Sequence, residues 1–139
     1  QVRRWPGSLR CELVLRLAEP LHESALETRA AHMMRTYRLP FPEPQVPVRD
    51  ESGKVFAYVD FAWVDLGVFL EVDGKAKYRI HRRPGESLDD YLMREKDREV
   101  RICQLTGWTC IRMSWADLAD GEVTANRIRR ILDSRRAAA

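Results

Sequence analysis

The stretch "VFAYVDFAWVDLGVFLEV", residues 55–72, is the most apolar part of the chain. Its step of two is that of β-strands, whose side chains alternate between faces. A turn at "ESGK", residues 51–54, predicts a hairpin of 45–49 with 55–63. Asp65-Leu66-Gly67 turns the chain again, into "VFLEV", a run typical of a central strand buried on both faces. Pro40, Pro42, Pro44 and Pro47 forbid helix before the hairpin and fit an edge strand at best.

Helical spacing takes over elsewhere. Leu26, Ala30, Met33 and Tyr37 recur at steps of four, three and four, with Ser24 as the opening cap. Ser8 caps a shorter segment carrying Leu9, Leu13 and Leu17. Asp89 or Asp90 caps a long charged helix that runs to about Leu105 and stops at Gly107. "WTCIRM" is a further strand, Ser114 caps a short helix in "SWADL", Gly121 interrupts, and a basic helix covers 123–136. The strands flanking the long helix are most easily parallel. The order predicts an α/β domain with a mixed sheet behind an extra N-terminal helix.

At 139 residues the chain suits one domain with a single core. No apolar run approaches the ~20 residues that span a bilayer, and no signal-peptide pattern opens the chain, so we expect a cytoplasmic protein without membrane contact. It begins at Gln1, which suggests an excised or processed domain. Cys11, Cys103 and Cys110, with His22, His32 and His81, show no metal-ligand spacing. Net charge is uneven, −2 over residues 1–73 and +5 over 74–139. A basic second half suits a polyanion, or a helix surface laced with ion pairs.

Acids interrupt the apolar strands. Strict alternation puts Tyr58, Asp60 and Ala62 on one face with Val59 and Phe61 opposite, and Phe69, Glu71 and Asp73 together on the next strand. In a paired register Asp60, Glu71 and Asp73 converge. Buried carboxylates need a positive partner, and oxygen ligands without His or Cys select Mg²⁺, Mn²⁺ or Ca²⁺. Asp60 capping a bulge or pairing with Arg112, and "VDGK" at 72–75 as a plain hairpin turn, are the alternatives. Lys75 and Lys77 continue the alternation and suit either an attacking water or open solvent. Glu27 closes "SALE", a capping box, and would otherwise complete a metal site beside the sheet.

An acid on a helix, D-(x)10-E-x-D across two strands, then helix, strand and helix resembles the PD-(D/E)XK nuclease superfamily. More narrowly it resembles bacterial endonuclease-like domains related to very-short-patch repair endonucleases, often found behind a winged-helix head of abortive-infection antitoxin type. The matching pieces are "ESALETR", "LPFPEPQ", "YVDFAW", "EVDGKAKY", "REKDRE" and "GWTCIRMSWADL". The resemblance implies a restriction-endonuclease-like three-layer core, in α-β-β-β-α-β-α order, over residues 21–118. Residues 1–20 are then a helical extension and 119–139 a basic helix, and a winged-helix domain ahead of them is what the resemblance implies.

It also implies a Mg²⁺- or Mn²⁺-dependent DNA endonuclease in phage defence, toxin–antitoxin or DNA repair. Asp60, Glu71 and Asp73 are implied as metal ligands with Glu27 in support. Asp73 stands where the superfamily's motif has lysine, so Lys75, Lys77 or Lys96 is the implied basic residue. Arg79, Arg82, Arg83, Arg94, Arg98 and Arg101 are expected to meet DNA phosphates. Glu95 and Gln104 would line the site or the DNA. A DNA-binding or regulatory module that keeps the fold without the chemistry is the alternative.

Overall fold

A computed structural model describes residues 25–73 and 82–138. The N-terminal segment with its Ser8 and Ser24 caps, and Lys75, Lys77, Tyr78, Arg79 and His81, lie outside the described residues. So does the "VDGK" turn beyond Asp73. Four strands form one sheet in the spatial order of the sequence: β1 (Glu43–Arg49), β2 (Val55–Trp63), β3 (Val68–Asp73) and β4 (Thr109–Ser114). The first two pairings are antiparallel, and β3 with β4 is parallel. The sheet is mixed and the fold is α/β.

The prolines explain the edge. Pro44 and Pro47 cannot donate to a ladder, and among the described residues β1 has a neighbour on one side alone. Its turn into β2 is held by Asp50, whose carboxylate accepts from the Ser52 and Lys54 amides at 2.9 and 3.1 Å. Val68 to Val72 of β3 are all buried, as a strand flanked by two others and covered on both faces must be. Gly67 makes the entry to β3 possible at φ 60°, a conformation that strains any residue with a Cβ.

Helix α1 (Ala25–Thr36) and the C-terminal helix α4 (Gly121–Ala137) cover one face. Leu26, Ala30, Met34, Ile128 and Leu132 pack there on Phe61, Leu70, Val72 and Met113. Between β3 and β4 the chain forms α2 (Leu88–Thr106), whose Ile102 packs on the other face with Val48, Val59, Ala62 and Phe69. Among the described residues no helix is long and apolar enough to cross a membrane.

Two helix starts differ from the sequence reading. Ser87 caps α2: its hydroxyl accepts from the Asp90 amide at 3.1 Å and donates to the Asp90 carboxylate at 2.6 Å. Asp90 is thus the third residue of a reciprocal cap and not the cap itself. Gly121 does not interrupt. It opens α4 behind the cap Asp120, and its place is steric, because a Cβ there would lie 2.9 Å from the Tyr37 ring and 3.1 Å from Met33. The short helix α3 (Trp115–Ala119) starts at Ser114, as its sequence suggested, through a box closed by Asp117.

Candidate functional site

Three carboxylates are buried among the described residues: Glu27 at 0 %, Asp60 at 7 % and Glu71 at 4 % exposure. They come from α1, β2 and β3. The strand ladder explains how two of them meet. Phe61 pairs with Leu70 and Ala62 with Phe69, so one further step brings Asp60 opposite Glu71. Pairing stops there. The Val72 amide instead donates to Asp60 Oδ2 at 2.7 Å, and the side chain serves as the acceptor that the ladder no longer provides.

Asp60 lies within a break in strict alternation. Val59 and Ala62 share one core cluster while Phe61 and Trp63 lie in the other, so the step of two breaks between Val59 and Ala62. Opposite this break on β1 is Gln45, between the pairs Pro44–Phe61 and Val46–Val59. Gln45 has φ 48°, the left-handed region that a glutamine seldom enters. Its Nε2 donates to Glu27 Oε2 at 3.3 Å, bringing the helix acid to the level of the break. Sequence reading passed over Gln45. A polar side chain between two edge prolines was the signal available.

Arginines of α2 and β4 face the β3 acids. Arg98 places Nη2 3.1 Å from Glu71 Oε1 and Nε 3.2 Å from Glu95, and its Nη1 donates to the Tyr58 carbonyl at 3.4 Å. Burial pulls the Arg98 pKa down, but Glu71 and Glu95 outweigh it, and the guanidinium sits above its ordinary value. Arg112 lies opposite Glu71 in the register, yet it bonds Asp73 and Glu99. Burial opposes its charge too, and Asp73 and then Glu99 more than compensate. The Asp73 side chain is 39 % exposed. The alternative pairing of Asp60 with Arg112 is thus not the arrangement found.

As these side chains sit, no three or more of His, Cys, Asp and Glu among the described residues form a group that could hold a metal ion. Lys96 and Gln104 are exposed on α2, as are Arg82 and Arg83 in the loop before it. Arg94 binds Glu86 at 2.8 and 3.2 Å, and Arg101 binds both Glu51 oxygens at 2.7 Å. Trp63 is buried and donates to the Pro40 carbonyl at 2.7 Å. Some of the basic charge of the second half is internal glue. From α4, Arg129 donates to the Tyr37 carbonyl at 2.8 Å and Arg135 to that of Leu66 at 3.1 Å.

Two curated proteins from strains of Mycobacterium tuberculosis, each called "Uncharacterized protein", are 32 % identical to this chain over 134 residues. The match covers 95 % of the chain, and the chain spans 45 % of the length of either relative. No family model and no solved structure gives a significant match.

Proposed function

We propose that this domain is a metal-dependent DNA endonuclease of restriction-endonuclease-like fold, with its site at the break in β2. One observation carries the reading: Asp60 and Glu71, on neighbouring strands where the ladder stops, and Glu27, bonded to Gln45 across from that break, are all buried carboxylates. Burying ionised carboxylates is costly, and stability gives no reason to bury three of them, one bonded to a left-handed glutamine. The donors around them suit a hard cation: carboxylate oxygens and a side-chain amide, with neither imidazole nor thiolate among the hydrogen bonds described.

Asp60 and Glu71 would hold Mg²⁺ or Mn²⁺, with Glu27 supporting them. Asp73 would join only by leaving Arg112. A bound ion supplies Lewis-acid chemistry, activating water and neutralising phosphate charge. The chain's own residues do the rest. Gln45 orients Glu27, and the Val72 amide fixes Asp60. The exposed Arg82, Arg83 and Lys96 stand ready for phosphates, giving affinity that falls with salt. Lys75, Lys77 and Arg79 are proposed for the same role from the sequence alone.

Arg98 on Glu71 and Arg112 on Asp73 favour a second reading, in which the acids are permanently neutralised and the domain binds DNA without cutting it. Nicking of supercoiled plasmid with Mg²⁺, Mn²⁺ or EDTA, by wild type and Asp60→Asn, separates the two. The endonuclease reading expects metal-dependent nicking that Asp60→Asn abolishes. The binding reading expects a salt-sensitive gel shift and no nicking in any lane.

A further inference from the structure

Arg98 was expected at the DNA surface, but it is drawn inward. Its guanidinium has three acceptors on three segments: Glu71 on β3, Glu95 one turn back on α2, and the Tyr58 carbonyl on β2, two residues before Asp60. This fork ties α2 to both strands at the level where the ladder stops. Glu71, to which it donates, is 4 % exposed, while the Arg98 side chain keeps 27 % of its surface in solvent. It therefore has somewhere to go.

We propose that Arg98 is an internal counter-ion that competes with a divalent cation for Glu71, so that metal binding and release of this guanidinium are one event. The inference rests on the metal-site reading above. Its physics is a competition between two cations for one buried carboxylate. Arg98 neutralises charge on a carboxylate that is costly to bury. An ion taking the Glu71 oxygens places a double positive charge against the guanidinium, which then turns to Glu95 or to solvent. This competition makes Arg98 a positioning residue for Glu71, with a cost on metal affinity and a gain in metal-free stability.

Mn²⁺ binding by isothermal titration tests this without reading activity. Arg98→Gln should bind Mn²⁺ about tenfold more tightly than wild type, the scale of one charge-assisted hydrogen bond. Glu95→Gln should bind more weakly, because Arg98 then concentrates its charge on Glu71. Arg101→Gln, which touches Glu51 instead, should match wild type and so excludes a general effect of charge. Should Arg98→Gln not fold, wild type still decides. In an NMR titration with Mg²⁺, the Arg98 Nη–Hη signals, which include the donor to Glu71, should shift as the metal saturates. Equal or weaker binding by folded Arg98→Gln, or Nη–Hη signals unmoved by saturating Mg²⁺, overturns the counter-ion role and leaves the metal site standing. Failure of wild type and variant alike to bind Mn²⁺ overturns the metal site and this inference together.

Discussion

Replacing Asp60 by Ala and by Asn isolates what its side chain does for the sheet. Asp60 Oδ2 accepts the Val72 amide at 2.7 Å, and Val72 is fully buried on a central strand. Alanine leaves that N–H without this acceptor, where stranding a buried donor costs roughly 1–3 kcal/mol. Asparagine keeps an oxygen in place and removes the same charge, so electrostatic effects cancel when the two variants are compared. Asp60→Ala should be less stable than Asp60→Asn by about 2 kcal/mol, or on the order of 5–8 °C in Tm for a chain of this size. Urea unfolding followed by circular dichroism in metal-free buffer measures the difference, with m checked for constancy. If Asp60→Ala equals or exceeds Asp60→Asn, the carboxylate does not complete the β2–β3 ladder. The geometry argued for the site would then be wrong.

Gly67→Ala should destabilise by about 2 kcal/mol in the same assay, from a left-handed φ and from displacing Arg135, whose Nη2 would lie 2.7 Å from the new Cβ. Glu86 is held at about 2 by Arg94 and then by the Arg83 amide. The stabilisation is complete above the ordinary carboxylate value and fades as pH falls through about 2. A carboxyl ¹³C titration should show that midpoint, and Arg94→Ala should return it to the ordinary range. Burial, with Glu99 adding to it, pushes the thiols of Cys103 and Cys110 up. In a Cys11→Ser background both should react with a disulfide reagent at pH 8 at least about tenfold more slowly when native than in urea.

The strands were legible because apolar density and turn chemistry agree there. Residues 55–63 form one strand as expected, and Val68–Val72 are buried on both faces as their run of apolar side chains implied. The parallel pairing of β3 with β4 followed from the length of the helical connection. Periodicity could not foresee the break at Asp60, because alternation is a local rule and the break depends on a hydrogen bond to another strand. The left-handed Gln45 was hidden for a related reason, since only its neighbours in space require that conformation. The loop arginines read as charge and stayed charge, whereas Arg94, Arg98 and Arg101 found acids 8, 27 and 50 residues away in sequence. Spacing along one helix says nothing about such partners.

The most direct test is anomalous diffraction from crystals soaked in Mn²⁺. The account predicts a peak in contact with the Asp60 and Glu71 carboxylates, with the Arg98 guanidinium moved off Glu71. No peak at saturating Mn²⁺, with Arg98 still bonded to Glu71, would contradict it.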